Sequence, residues 1–238
     1  MTTRRGGRSV GPYASMNVGV AVGDSLEAVV VNRALLAEAA GARPVFMRQV
    51  HGTRVIGVGS ADAGHDAPLC DADACVTTEP GVACVVQAAD CLPVLLAAPG
   101  GRAVGAAHAG WRGLAGGVVE ATVKAVCAAA ACTPRDLDAW LGACIGPSAF
   151  EVGADVLVAF GVDPLAAATD ATGRFVPHAP GKWLADLAGL ARDRLLAAGV
   201  ERVGGGRWCT VSEPSRFFSF RRDGVTGRMA AAVWIEGG

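Results

Sequence analysis

The stretch Gln87–Val119, QAADCLPVLLAAPGGRAVGAAHAGWRGLAGGVV, decides how the rest of the chain is read. Cys91 sits in an acidic setting, Ala89-Asp90-Cys91, and leads into an apolar run, a Gly-Gly turn and a small-residue strand that delivers His108 to its end. A glycine-rich turn, Gly110-Trp111-Arg112-Gly113, then opens a helix. Cysteine and histidine at strand ends, facing a helix opening whose free amides favour anions, have the makings of a metal and anion site. The candidate third ligand is His51 in Arg48-Gln49-Val50-His51-Gly52, again beside glycine at the expected end of a strand.

Two imidazoles and one thiolate suit zinc, and copper also accepts such a set. A site with three protein ligands keeps a fourth position open for chemistry. Arg112 and Gly113 lie at the helix opening, where phosphate would be favoured. Arg48 precedes His51 by three residues. Alternation puts it on the opposite face of an ideal strand, so a bend is needed to turn both inward. In Asp71-Ala72-Asp73 the carboxylates share one face, which is either solvated or lines the site. Trp111 either stacks on a planar ring or packs in the core. His65 and His178 lie in loop-like sequence and are expected to be exposed.

Composition narrows the class. At 238 residues the chain is long enough for one sizeable domain spanning 1–238. It is 52% hydrophobic with 33 glycines, so the interior is expected to be closely packed small residues. A net charge of -1 gives no reason to expect nucleic acid or an anionic membrane as partner. The opening MTTRRGGRSVGPYASMN has no apolar segment behind its arginines and is a poor signal peptide. Asp90 and Pro93 interrupt the best apolar run, leaving none that spans a bilayer. A cytoplasmic monomer or small homo-oligomer is expected. The eight cysteines contain no Cys-x-x-Cys pair, which excludes a zinc ribbon, and Cys75, Cys84, Cys127, Cys132 and Cys144 read as small buried hydrophobes.

Along the chain, 15–22 reads as a strand, and Asp24 as the N-cap of a helix running to Gly41 with Glu27 completing a capping box. Strands are expected at 45–50 and 71–77. Two more, at 81–87 and 102–108, are expected to be neighbours. Helices follow from Leu114 to about Ala131, after the Thr133-Pro134 cap, at 151–160 and at 181–198. A strand at 140–145, another through 208–210, a third within 216–223 and a last one at 227–235 complete the pattern. Strands and helices mix without a regular βαβ period, which argues for a layered α+β sandwich.

Several ordered motifs together resemble one known family. RQVHG at 48–52, DADACVT at 71–77, ADCLPVLL at 89–96 and HAGWRG at 108–113 resemble the multicopper-oxidase-like laccase-domain family. LGACIGPSAFEVG at 141–153 and CTVSEPSRFFSFRRDGVTGRMAA at 209–231 extend the likeness over nearly the whole chain. The family is also called the YfiH or polyphenol oxidase family, and a purine nucleoside phosphorylase family. The resemblance implies a single-domain four-layer α/β/β/α sandwich. It also implies a metal, usually zinc, held by His51, Cys91 and His108.

The activity it implies is phosphorolysis of adenosine, inosine, guanosine and S-methyl-5'-thioadenosine, with adenosine deamination beside it. The residues expected to carry the chemistry are His51, Cys91, His108, Asp90 and Arg48. Arg48, Arg112, Gly113 and Asp73 are expected to bind substrate or phosphate. The His-x-Glu and Pro-Cys-x-x-Cys signature of zinc deaminases is absent, so Asp90, Asp71 or Asp73 would supply the carboxylate for deamination. One departure stands out: Ser148-Ala149-Phe150 follows Ile145-Gly146-Pro147, where relatives often carry a cysteine and an aromatic, and Phe150 offers no hydroxyl. The alternatives are a copper-loaded phenol oxidase, for which four histidines are too few, and a non-catalytic zinc-binding regulatory protein.

Overall fold

Alternation along one strand sets the layering. In β4 (Val82–Ala88), Val82, Cys84 and Val86 face one apolar core while Ala83 and Val85 face another, and all of them are buried. A strand covered on both faces reads as a continuous apolar run, as this one does. β4 is the centre of a three-stranded sheet, parallel to β1 (Arg43–Val45) and antiparallel to β12 (Met229–Trp234). On its outer face lies α1 (Leu26–Ala40), whose Leu36 packs with Phe46, Ala83, Val85 and Ala230.

The inner face packs on a six-stranded sheet. Its order is β11 (Arg202–Gly205), β7 (Asp138–Leu141), β5 (Leu92–Ala97), β6 (Val104–Ala109), β3 (Ala74–Thr77) and β2 (Val55–Gly57). Helices α3 (Val118–Ala130) and α5 (Leu187–Ala197) cover the far side, where Val119, Val123 and Leu195 share a core with Val76, Leu96 and Leu141. The result is a four-layer α/β/β/α sandwich of the α+β class. A small sheet of β8 (Glu151–Val152), β10 (Lys182–Ala185) and β9 (Phe175–Ala179) lies at the periphery. The short helices α2 (Trp111–Gly116), α4 (Ala154–Ala159) and α6 (Phe220–Asp223) complete the fold. The computed structural model describes residues 1–64, 67–165 and 173–237. No described helix is long and apolar enough to cross a membrane.

Small residues let the layers approach. A Cβ on Gly105 of β6 would meet Val126 Cγ2 of α3 at 2.7 Å and the carbonyl of Cys75 at 3.2 Å. The glycine is therefore required by the helix–sheet spacing, not by its own backbone angles.

Several expected elements differ. Residues 15–22 form no strand, because polar side chains take the backbone bonds a ladder would use. Asn32 Nδ2 donates to the carbonyls of Ser15 and Asn17, and Asn17 Oδ1 accepts from Gly19 and Arg228 amides. The cap of α1 is Ser25, whose Oγ accepts from Ala28, while Asp24 turns back to Asn17. The strands expected at 81–87 and 102–108 belong to different sheets that face each other rather than pair. The helix expected from 114 to 131 is broken at Gly117 (φ 98°) into α2 and α3. Residues 151–152 and 182–185 are strand, with the helices starting only at Ala154 and Leu187. Within 216–223 there is no strand; Ser219 caps α6, and Phe217 and Phe218 are buried beside it. Cys127 and Cys132 are half-buried at the end of α3 rather than in the core.

Gly105→Ala is expected to destabilise the fold by about 1–3 kcal/mol, the usual cost of overpacking. Urea unfolding should show a lowered midpoint at unchanged slope.

Candidate metal centre and its two clefts

The centre forms where the chain passes between the two large sheets. His51 lies on the crossing from β1 to β2, and Cys91 on the crossing from β4 to β5. The antiparallel register of β5 and β6 pairs Leu92 with Ala109 and Pro93 with His108, so the end of one strand meets the start of the other. The metal-ligating atoms of His51, Cys91 and His108 all lie within 4.8 Å of one another. Cys91 Sγ is 3.8 Å from His51 Nε2, and the two imidazoles stand edge to face with centroids 4.8 Å apart. Ligands of a tetrahedral zinc sit roughly 3.5 Å apart, given bonds of about 2.0–2.3 Å. The three expected ligands are thus together, at spacings somewhat wider than that.

Beneath them lies Asp73, with no solvent exposure. Its Oδ1 accepts from His108 Nδ1 at 2.9 Å and from the His51 amide at 2.9 Å. Its Oδ2 accepts from the amides of Gly52 at 2.7 Å and Val50 at 3.1 Å. One buried carboxylate therefore folds the His51 turn and orients the His108 ring, leaving Nε2 of His108 for the centre. A carboxylate behind a ligating histidine is the usual support of a metal site. Burial opposes ionisation of Asp73, yet the bonds from His108, Gly52 and Val50 hold its carboxyl below the ordinary value. Burial also works against the Cys91 thiolate, but His108 and His51 draw the thiol down to about 6. Burial opposes the His108 imidazolium, whereas Cys91 and Asp73 bring it up to about 9. A thiol that ionises below neutral pH, beside two imidazoles, fits a borderline-soft cation.

Both ligand loops carry left-handed backbone at non-glycine residues, His51 at φ 61° and Asp90 at φ 99°. Such angles persist only where surrounding bonds impose them. Asp73 does so for His51. For Asp90, Oδ1 accepts from Thr210 Oγ1 at 2.5 Å and Oδ2 from the Arg221 amide at 2.6 Å. Glycine is needed where α2 abuts the ligands: a Cβ on Gly110 would stand 2.9 Å from His51 and 3.0 Å from Cys91 Sγ.

Two clefts meet at the centre, sharing His51, Ala89, Cys91 and Phe220. The smaller, of about 190 Å³, is walled by Trp111, Ile145, Phe150 and Leu187, with Arg112 and Arg221 at its rim. The larger, of about 470 Å³, is lined by Met47, Arg48, Gln87, His108 and Arg228. A third groove, of about 420 Å³ between Val55–Gly59, Val76–Glu79 and α3, lies away from the three ligands.

The expected substrate residues are dispersed by this geometry. Asp73 is wholly buried and cannot reach a substrate; it supports the ligands instead. Arg48 is exposed and paired with Asp71, so the expected alignment of Asp71 with Asp73 fails, and β3 begins only at Ala74. Arg112 rests over Trp111 at 4.4 Å on the other cleft. Gly113 is buried, and a Cβ there would meet the carbonyl of Gly52 at 2.8 Å, so it serves close approach. Asp90 lines the small cleft with both carboxylate oxygens engaged. His178 lies on β9, exposed and 3.6 Å from Glu151, and His65 falls outside the described residues. Phe220 and Arg228 were not singled out from sequence. The signals were there: an arginine opening the apolar run of β12, and an aromatic beside paired arginines.

The family model described as multi-copper polyphenol oxidoreductase laccase matches residues 1–236. The chain belongs to this laccase-domain family. A Pseudomonas aeruginosa relative named purine nucleoside phosphorylase is 47% identical over 238 residues, covering 99% of this chain and 92% of its own. The Escherichia coli relative named purine nucleoside phosphorylase YfiH is 44% identical over 236 residues, covering 98% and 92%. The crystal structure of a Neisseria meningitidis protein is 47% identical, matches with a TM-score of 0.89 and covers 100% of this chain and 93% of that one. Within this laccase-domain chain, only one group of three such ligands lies close together among the described residues.

Asp73→Asn keeps the shape but removes the charge that holds His51 and His108. It is expected to weaken binding of a divalent metal by about 10–100-fold. A competition titration against a chromophoric chelator measures this directly.

Proposed function

We propose that this chain is a metal-dependent purine nucleoside phosphorylase acting on adenosine, inosine, guanosine and S-methyl-5'-thioadenosine, with adenosine deamination at the same centre. The observation that carries this reading is the convergence of His51, Cys91 and His108 at the meeting of two clefts of different character. The names of the relatives support the phosphorylase part of this reading.

Phosphorolysis joins a phosphate oxygen to the anomeric carbon of the sugar while the bond from that carbon to the purine nitrogen breaks. The bonding electrons leave with the purine. A protein serves such a reaction mainly by aligning the two reactants. The small cleft suits the base, because Trp111, Phe150 and the exposed Phe220 offer flat apolar surface. The larger cleft, with Arg48 and Arg228, suits the anion. His51, Cys91 and His108 would hold the ion between them, and zinc fits this donor set. When bound, such an ion supplies Lewis acidity to an oxygen in the cleft or activates water for deamination. Phe150 is buried at the wall and gives the base a ring face but no hydroxyl.

A copper phenol oxidase would need further histidine-rich clusters. The sequence holds four histidines, and His178 stands apart on β9 beside Glu151. A purely structural zinc is disfavoured by the open clefts on both sides of the ligands.

Purified zinc-loaded protein, incubated with inosine and phosphate, is expected to release hypoxanthine and ribose 1-phosphate. Cys91→Ala should lose stoichiometric zinc on elemental analysis and at least about 10–100-fold of the rate, the loss that supporting residues alone can cause. Absence of both products from fully loaded wild-type protein would overturn the reading.

A further inference from the structure

Several guanidinium groups here have an acid. Arg48 pairs with Asp71, Arg174 with Asp186 and Asp193, Arg194 with Glu120, and Arg222 with Asp223. Arg228 has no carboxylate within ion-pairing distance among the described residues. Its Nη1 donates to the carbonyls of Thr226 at 3.0 Å and Gly227 at 3.1 Å, both in its own turn. It is half-buried and lines the larger cleft together with all three candidate ligands. Both oxygens of nearby Asp90 already accept, from Thr210 and from the Arg221 amide.

The position of Arg228 is over-determined. Its amide donates to Asn17 Oδ1 at 2.8 Å, and a Cβ on Gly19 would meet Arg228 Cγ at 2.8 Å. Glycine at 19 thus leaves the channel through which the arginine stem passes, and Phe220 lies 5.8 Å from the guanidinium carbon. The bonds that would have made 15–22 a strand are spent on this arrangement. Burial disfavours the cation, with Cys91 and Asp90 partly offsetting the cost. A charge removed from water without a counter-charge is expensive unless an anion arrives. A planar fork of N–H donors fits an oxyanion in two places at once.

We propose that Arg228 is the phosphate-binding residue of the larger cleft, holding inorganic phosphate beside His51, Cys91 and His108. The assignment deepens the phosphorylase reading and rests on it for the identity of the anion. It adds a residue that the motifs around Arg48 and Arg112 do not point to.

Calorimetric titration of inorganic phosphate into zinc-loaded protein tests it without turnover. Arg228→Gln is expected to weaken phosphate about 10–100-fold, the scale of lost charge-assisted hydrogen bonds. Zinc content and inosine affinity should stay within about twofold on the same scale of comparison. Arg228→Lys keeps stem and charge but loses the fork, and serves if the glutamine variant does not fold; it should weaken phosphate by a smaller factor. Wild-type phosphate affinity in either folded variant overturns the proposal, as does failure of the wild-type protein to bind phosphate. Inosine turnover separates the two claims. Ribose 1-phosphate production with an unchanged phosphate KM in Arg228→Gln removes Arg228 and leaves the phosphorylase standing. Phosphate bound through Arg228 without phosphorolysis of any purine nucleoside keeps the anion site and removes the phosphorylase.

Discussion

The buried carboxylate of Asp73 is the constraint on which the centre depends. It accepts from the amides of Val50, His51 and Gly52 and from the ring of His108, which bonds two distant segments to one group. A carboxylate in so dry a place is tolerable only when donors surround it. Each of those donors belongs to a ligand or to the turn that carries one. Local strain at His51 is therefore maintained by the same bonds that orient His108. Asp90 repeats the device at the other loop, tying Cys91 to Thr210 and α6 near the far end of the chain.

Cleft character follows from the layers. The small-residue strands bring the sheets and helices close, so the apolar surface left over gathers where α2 and α6 cap the sandwich. There Trp111, Phe150 and Phe220 face one cleft, while the other inherits Arg48 of the β1–β2 connection and Arg228 just before β12. The ligands stand where these surfaces meet, which gives a bound ion access to both.

Much of this was legible in the sequence because the signals were local. The Ala89-Asp90-Cys91 turn and the small-residue approach to His108 each mark a strand end, whereas the strand expected at 45–50 stops at Val45 and leaves His51 in the connection to β2. The continuous apolar runs of β4 and β5 announce strands covered on both faces, and Gly41 stops α1 where periodicity says it should. The losses came from side chains that replace backbone partners. Asn17 and Asn32 satisfy 15–22 without a ladder, Ser219 starts a helix inside an apparent strand, and Gly117 bends one apparent helix into two. Asp73 was placed on the right strip of chain, but alternation could not show its burial or its bonds to the His51 turn and the His108 ring. Arg228 opens an apolar run that the sequence shows, but its lack of a carboxylate partner among the described residues is visible only in the folded chain.

The passage of the chain between sheets at both His51 and Cys91 has a mechanical consequence. Each crossing is anchored in β1 or β4 on one side and in β2 or β5 on the other, so any slippage of one sheet over its neighbour draws the imidazole and the sulfur apart. An ion gripping both would act as a rivet through the sandwich, and its rate of escape would report on how firmly the two inner layers are clamped.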